Sequence, residues 1–343
     1  MSHSKISISG IYLIKALLII GSTLTILYIG SSLLMPLVVA AIIAILLDKP
    51  TQKLKQWGLP SWLSITLSII ILLIIFMLLT WLVGSQINSM AGDWPTIKEK
   101  ANEKLNDFSE WANKNLQWDY KDYIEDNKRL IDKLQSLASD FLSSIMSLLS
   151  QSLIVFVYII LLLAQKNMFI KFFKKLTPNP SAMVSLLSDS SKIIRDYLFG
   201  KSKVMLFLFG IYYIGFSFTD VPYAFFLAAF AALFSIIPYV GNIIGGGIAV
   251  LLTFLYSGGI SALIVIGVIS AAQLVESYVF TPLILGDQIN LNPFITIFGI
   301  ILFSTIWGIV GAIIALPVIG VLKVIFEYTN GMEAYAYLIE KKE

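Results

Sequence analysis

The stretch VPYAFFLAAFAALFSIIPYVGNIIGGGIAVLLTFLYSGGISALIVIGVISAAQLV, residues 221–275, contains no charged residue. A helix needs about 20 residues to cross a hydrocarbon core about 30 Å thick, so this stretch is long enough for more than one crossing. It is interrupted at Pro238, Gly241, 245–247 and 258–259. Proline lacks a backbone donor and glycine is conformationally permissive, so these positions predict breaks between helices. The stretch therefore indicates an all-α protein embedded in a lipid bilayer.

Composition extends this interpretation to the whole chain. Hydrophobic residues make up 57% of the 343 and charged residues 13%, whereas soluble domains carry about 25% charged residues. Other charge-free stretches occur at 16–47, 56–92, 141–165 and 288–322, with a shorter one at 204–219. Together they predict a polytopic transmembrane helical protein with about eight spans, at 11–29, 31–47, 63–87, 144–165, 204–219, 222–237, 259–280 and 294–322. Segment 240–257 is predicted to be either a re-entrant element or part of a longer broken helix.

The distribution of charge predicts the orientation. The loops 48–56 and 166–203 are rich in lysine and arginine, and the positive-inside rule places such loops in the cytoplasm. The intervening segment 88–140 has more acids than bases and belongs on the opposite side. An even number of spans then puts both termini in the cytoplasm, as expected for a multi-pass protein of the cell (inner) membrane.

The predicted domains follow from these spans and loops. Hydrophobic residues recur every three or four positions within 88–143, which predicts an extracytoplasmic helical insertion. Residues 181–198 show a similar amphipathic pattern and are expected to lie on the anionic inner leaflet. The boundaries are 1–87 for spans 1–3, 88–143 for the insertion, 144–165 for span 4, 166–203 for the basic linker and interfacial helix, 204–327 for the C-terminal membrane domain with broken helices, and 328–343 for a cytoplasmic tail.

Several function classes are disfavoured. Cysteine is absent and the sole histidine, His3, lies in the polar N-terminal tail, so thiolate sites and histidine-based catalysis or metal binding are not expected. The glycine run 245–247 is followed by Ile248 and Ala249 instead of the lysine of a phosphate-binding loop. A net charge of +3 is too small to suggest nucleic acid as a partner. We therefore expect neither an enzyme nor a bound cofactor.

Glu276 is the most informative polar residue of the apolar sequence. Gln273 lies three residues earlier, on the same helical face. A carboxylate inside a bilayer costs about 2.5–3.5 kcal/mol on insertion scales, so it should face protein or a water-filled cavity. One interpretation gives Glu276 a role in handling a solute or proton. The alternative is a structural glutamate near the interface that bonds Tyr278 or a neighbouring backbone group.

Two predicted helix breaks provide further candidates for the substrate pathway. Unwound backbone at membrane depth is tolerated only where protein or water satisfies it, which is how broken helices form transporter sites. The alternative for each break is a surface turn between spans. At the first break, Gly241 and Gly245 lie four residues apart, which also favours close helix packing. Replacing both Pro238 and Gly241 with alanine is expected to straighten and stabilise the first break and to stop transport. The first break contributes Pro238, Tyr239, Gly241 and Asn242, and the second Thr281, Pro282, Gly286, Asp287, Asn292 and Pro293.

Four sequence blocks are informative together: RDYLFGK at 195–201, VPYAFFLAAFAALFSIIPYVGNIIGGG at 221–247, ESYVFTPLILGDQINLNPF at 276–294 and WGIVGAIIALPVIGVLKV at 307–324. Their order, spacing and content resemble the autoinducer-2 exporter family, also called the PerM-like permeases. Asn242 stands where members of this family often carry proline, and Asp287 stands where many carry a basic residue.

The resemblance implies eight spans, cytoplasmic termini, an extracytoplasmic helical insertion and assembly into homo-oligomers such as pentamers. The expected partners are the lipid bilayer and a small-molecule or ion substrate. Three functions remain open: a secondary transporter that exports a small polar solute such as autoinducer-2, a sodium(lithium)/proton antiporter, and a channel or membrane-anchored assembly protein. Sparse membrane acids argue against the antiporter, because antiporters usually carry several.

Overall fold

The computed structural model describes residues 10–116, 153–219, 221–238, 241–285 and 290–341. These residues are almost entirely helical, as the hydropathy pattern predicts. The helices are α1 (Gly10–Ile29), α2 (Ser31–Gln56), α3 (Ser61–Gly92), α4 (Trp94–Leu116), α5 (Leu153–Ala164), α6 (Lys166–Lys175), α7 (Pro180–Ser217), α8 (Ala224–Phe234), α9 (Asn242–Ser257), α10 (Gly259–Val275, continued by a π-helical segment Glu276–Leu285), α11 (Pro293–Glu327) and α12 (Glu333–Ile339).

The described residues divide into two compact units. The first unit contains the residues up to Lys49, those from 153 to Ser191 and those from Leu291 onward, and the second contains those from Pro50 to 116 and from Lys192 to Asn290. Each unit has its own packing and is described separately.

Among the described residues, five helices are long and apolar enough to cross a membrane, and the bent pair α5–α6 would be a sixth. The five are Ser31–Gln56, Ser61–Gln86, Pro180–Ser217, Gly259–Ile284 and Pro293–Glu327. The total of eight crossings remains a prediction. One boundary differs from the sequence interpretation: 181–198 and 204–217 belong to a single helix, α7, because no proline or glycine pair breaks the chain between them.

In the second unit, α8 and α9 form a helical hairpin. Helix α8 has 11 residues, about 16 Å at 1.5 Å per residue, and is too short to cross a membrane alone. Gly245 packs directly on Ala231, so that a Cβ at Gly245 would lie 2.5 Å from the Ala231 Cα. Ala224–Phe234 therefore provides one arm of a hairpin, and Asn242–Ser257 provides the other.

Of the two roles predicted for Gly241, a conformational break and close helix packing, the structure supports close packing. The φ of Gly241 is −56°, an ordinary helical value, so the position does not need the conformational freedom of glycine. Instead, a Cβ at Gly241 would collide with the backbone N of Ser235 and with the Ala231 carbonyl oxygen. Glycine is required here by the close approach of the two arms.

In the first unit, α11 reverses direction near its middle. Trp307 and Gly308 leave the helical region, Gly308 with φ 61° and ψ −145°. A Cβ at Gly299 would touch the Ile319 side chain, although 20 residues of straight helix would span about 30 Å. The stretch 294–322 is therefore not one straight helix, and the number of times that it crosses the membrane stays a prediction. Hydropathy gives only the length of an apolar stretch. The reversal depends on the backbone torsions at Trp307 and Gly308 and on the small size of Gly299, which hydropathy does not show.

The reversal makes α11 a second helical hairpin, and the C-terminal residues contact its open end. The Asn292 N–H donates to the Ile339 carbonyl at 2.7 Å, and Leu291 and Glu340 form an isolated antiparallel bridge. Lys323 lies 3.5 Å from Glu340 and 3.7 Å from Glu327. Helix α12 thus holds both ends of α11 together.

Candidate functional site

A buried ion pair is the first component of the candidate site, in the second unit. The Lys201 Nζ donates to the Glu276 Oε1 at 2.7 Å, and the two side chains are 6% and 9% exposed. Either charge alone would be costly in an apolar environment, whereas a close pair offsets much of that cost. Glu276 therefore has a specific charged partner, and not the Tyr278 phenol considered from the sequence.

The helical period explains why these two side chains face inward. One face of α7 is buried from Tyr197 to Phe216, with members three or four residues apart. Lys201 occupies a position in this stripe, which consists of Tyr197, Lys201, Val204, Leu208, Tyr212 and Phe216. On α10 the buried positions Ala272 and Glu276 are likewise four residues apart.

The second component is a chain of hydrogen bonds that joins three helices. The Tyr212 hydroxyl of α7 donates to the Asn242 Oδ1, and the Asn242 Nδ2 donates to the Gln273 Oε1 of α10. The Gln273 Nε2 then donates to the Ser277 Oγ at 3.0 Å. Every link uses a side chain that can both donate and accept. A polar molecule could therefore replace a protein partner along this chain without leaving a group unsatisfied.

Both polar components lie at π-helical segments. Asn242 begins one such segment, Asn242–Gly246, and Glu276 begins the other, Glu276–Leu285. A π-helical turn widens the helix and displaces backbone partners, and such turns often occur at functional sites. Pro282 lies inside the second segment and removes one further backbone donor.

The structure brings some predicted site residues together and separates others. Glu276, Gln273 and Asn242 belong to the polar cluster, while Pro238 and Gly241 form the turn of the adjacent hairpin. Thr281 and Pro282 lie further along the π-helical segment. Asn292 and Pro293 belong to the first unit, where the Asn292 Oδ1 accepts from the Phe294 N–H at 2.9 Å and caps α11. Tyr239, Gly286 and Asp287 lie outside the described residues.

Sequence reasoning missed Lys201, Tyr212 and Ser277. The charged residues near Lys201 in sequence are typical of a solvated loop, and they predict that Lys201 belongs to the basic cytoplasmic linker. A signal was nevertheless present, since Lys201 and Tyr212 fall on the apolar stripe of α7. Extending the helical period through the linker would have identified both.

The chemistry available here is solute binding by hydrogen bonds and charge. Among the described residues, no group of three or more acidic or histidine side chains could hold a metal ion. The amide and hydroxyl groups suit a small, uncharged or weakly charged polar molecule. The ion pair adds a cation and an anion that a charged solute could engage only by competing with an existing partner.

Comparisons with known proteins show the family to which the chain belongs. The sequence model described as AI-2E family transporter matches residues 16–331. The chain is 26% identical over 311 residues to the putative transport protein YueF of Bacillus subtilis, covering 86% of this chain and 84% of the relative. It is 19% identical over 343 residues to the AI-2 transport protein TqsA of Escherichia coli (99% and 98% covered) and 22% identical over 344 residues to the putative permease PerM of Escherichia coli (94% of each covered). Its residues match the family over nearly the whole length, and the chain belongs to the AI-2E transporter family.

Proposed function

We propose that this protein is a secondary transporter that exports a small polar solute, and that the Tyr212–Asn242–Gln273–Ser277 chain lines the path. The observation that supports this most strongly is that the chain connects α7, α9 and α10 in the apolar second unit through groups that donate and accept. Structural hydrogen bonds in a membrane helix usually go to the helix's own carbonyls, as at Thr253 and Ala249. Local bonding of this kind does not account for side-chain hydrogen bonds between helices, whereas a solute path does.

The first substrate to test is autoinducer-2. The relative named for AI-2 transport is similar to this chain over nearly the full length of both. A small, hydroxyl-rich signalling furanone also matches a site of amides and hydroxyls, because each solute hydroxyl can replace a side-chain partner.

Transport by the purified protein in liposomes tests this proposal. Autoinducer-2 flux is measured with and without proton and sodium gradients, in the wild type and in Asn242→Leu. The matched control is Thr305→Val, since Thr305 bonds only its own helix at the Ile301 carbonyl. We expect flux that Asn242→Leu abolishes and Thr305→Val leaves unchanged.

Other results would favour the alternatives. Proton movement driven by sodium or lithium, without solute flux, would indicate an antiporter that uses Glu276. Flux that is independent of any gradient and does not saturate would indicate a channel. Absence of all transport by protein that is folded by size-exclusion and thermal unfolding would reject the proposal.

We further propose that both termini are cytoplasmic, as the basic loops predict, and that the protein forms a homo-oligomer. The chain has no cysteine, so a single introduced cysteine is a unique label. Lys174→Cys should react only from the cytoplasmic side and Glu110→Cys only from outside. Labelling of both from one side would refute this orientation, and a monomeric mass in nanodiscs would refute the assembly.

A further inference from the structure

Helix α6, KNMFIKFFKK at 166–175, has exposed apolar and basic faces, and none of its residues is buried. Its large hydrophobic side chains lie three or four residues apart and form one face. Their exposed fractions are 53% for Met168, 37% for Phe169, 54% for Phe172, 36% for Phe173 and 62% for the following Leu176. Adjacent exposed side chains of this size form a patch, and such a patch on a soluble surface would promote association.

The remaining face of α6 is basic. Lys171, Lys174 and Lys175 lie together beside Asn167, and the helix contains no acid. Lys166 differs from these three, because its Nζ lies 2.7 Å from both carboxylate oxygens of Asp48. No ion pair in the described part of the chain neutralises the other three lysines. The helix therefore presents uncompensated positive charge next to its apolar face.

The orientation of α6 relative to α5 completes the pattern. The chain bends by 68° between Leu153–Ala164 and Lys166–Lys175. If α5 runs across the bilayer, α6 lies close to the membrane plane. The Lys166–Asp48 contact fixes the start of α6 beside the end of the apolar part of α2, where the chain becomes polar. This is the level at which phospholipid headgroups lie.

We propose that α6 is an interfacial helix that binds anionic phospholipid headgroups, with the aromatic face inserted among acyl chains and Lys171, Lys174 and Lys175 on the phosphates. Charge complementarity selects this partner, because the inner leaflet is anionic and basic residues near it are attracted electrostatically. The phenylalanine face accounts for the apolar half of the helix, which a soluble anion would leave in water. The proposal is independent of the transported solute.

The test uses the full-length protein carrying an environment-sensitive dye on Phe172→Cys. The labelled protein, in nonionic micelles, is titrated with dioleoylphosphatidylglycerol or dioleoylphosphatidylcholine. The test variant changes Lys171, Lys174 and Lys175 to glutamine. The matched control changes three lysines of α4, Lys98, Lys104 and Lys114, where acids are interspersed.

We expect saturable dye shifts with the anionic lipid only. Each lysine near an anionic surface contributes about 1 kcal/mol, which is about fivefold, so the α6 triple variant should bind at least about tenfold more weakly. The α4 control should bind as the wild type does. Raising the salt from about 0.1 M to about 1 M shortens the Debye length from about 10 Å to about 3 Å and should weaken wild-type binding, with no substitution involved.

Several results would overturn the proposal. Equal titration by the two lipids, or equal affinity of the two triple variants, would remove the role of the lysines. Displacement of the anionic lipid by inorganic phosphate at matched concentration would make α6 a site for soluble anions. A lipid-independent cross-link between copies through the Phe172→Cys thiol would make the aromatic face an interface with a second copy.

Discussion

The molecule contains two helical hairpins that are similar in shape and differ in what their polar groups do. The first hairpin, α8–α9, turns around Pro238, and its Asn242 bonds Tyr212 and Gln273 on other helices. The second hairpin, within α11, turns at Trp307 and Gly308. The hydroxyls next to its turn, Ser304 and Thr305, both bond the Ile301 carbonyl of their own arm.

This difference shows how an apolar hairpin can serve either packing or polar recognition. The second hairpin satisfies its hydroxyls locally, and the Trp307 Nε1 donates to the Leu27 carbonyl of α1 at 3.0 Å. Its polar groups therefore hold the turn in place. The first hairpin leaves its amide to be satisfied by side chains of other helices, which a polar solute could replace. We expect changes at the first hairpin and its partners to affect both transport and stability, and changes at the second hairpin to affect stability alone.

Lys201→Met should have the largest effect. It removes a cation and leaves Glu276, whose side chain is 9% exposed, without its partner. Breaking a buried pair in this way costs about 3–5 kcal/mol. The measurement is the free energy of unfolding in micelles, together with flux. The double variant Lys201→Met/Glu276→Gln should recover much of the stability but not the flux. A double variant as unstable as the single one would mean that the pair is not the source of the loss.

Gly241→Ala should have the next largest effect, at the turn of the first hairpin. The added Cβ would meet the backbone N of Ser235, which cannot move without separating the two arms. Overpacking of a close contact costs about 3 kcal/mol at the upper end of its usual range. Gly247→Ala is the matched control, since among the described residues no atom outside its own helix backbone lies within 4 Å of the place that a Cβ would take there. Thermal unfolding of the two variants measures the difference, and equal midpoints would contradict the close approach.

Helix propensity leads to the opposite sign for Gly241, although the four-residue spacing of Gly241 and Gly245 favours close packing. Helix propensity concerns one helix at a time, and so predicts that alanine at Pro238 and Gly241 stabilises the chain. The clash at Gly241 arises from another arm and is visible only in three dimensions. The same holds for Glu276: its apolar context indicates that it needs a partner, but Lys201 is 75 residues away. The membrane class, the broken helices and the inward position of Gln273 were predictable because they depend on local composition and period.

Asn242→Leu should cause an intermediate loss of stability and a large loss of flux. The change keeps the branching of the side chain at Cγ, removes the amide, and leaves Tyr212 and Gln273 each without one partner. Unsatisfied buried polar groups cost about 1–3 kcal/mol. Asn242→Gln, which keeps the amide on a longer side chain, should retain more stability and part of the flux. If leucine and glutamine reduce flux equally while both proteins remain folded, the position and not the hydrogen bonding of Asn242 is what transport requires.

Gly308→Ala tests the turn of the second hairpin. Its φ of 61° and ψ of −145° lie close to a region that essentially only glycine adopts, where a side chain is strained by about 1–3 kcal/mol. Within the described part of the chain, no atom beyond the adjacent backbone lies within 4 Å of the position of an added Cβ, so backbone strain is the expected cost. Flux per folded molecule should be unchanged, which distinguishes this turn from that of the first hairpin. A loss of flux with normal thermal unfolding would show that the second hairpin also takes part in transport.

Lys323→Met should have the smallest effect, although it is the same substitution as Lys201→Met and also concerns a buried lysine. Its partners, Glu327 and Glu340, are 45% and 31% exposed and lie 3.7 and 3.5 Å away. Water can therefore solvate both carboxylates once the cation is removed, whereas Glu276 has no such access. Pairs with solvent-exposed members contribute about 0.2–1 kcal/mol, so we expect a loss in that range, with normal flux.

The informative quantity is the difference between the two lysine variants, because both remove one ammonium group and introduce the same side chain. Their unfolding free energies, measured in one micelle composition, should differ by at least about 2 kcal/mol if the low exposure of Glu276 decides the cost. Adding Glu340→Gln to Lys323→Met should change little, since a solvated glutamate does not depend on its partner. Equal losses at Lys201 and Lys323 would show that solvent access to the remaining carboxylate does not set the cost, and the contrast between the two hairpin regions would then rest on Asn242 alone.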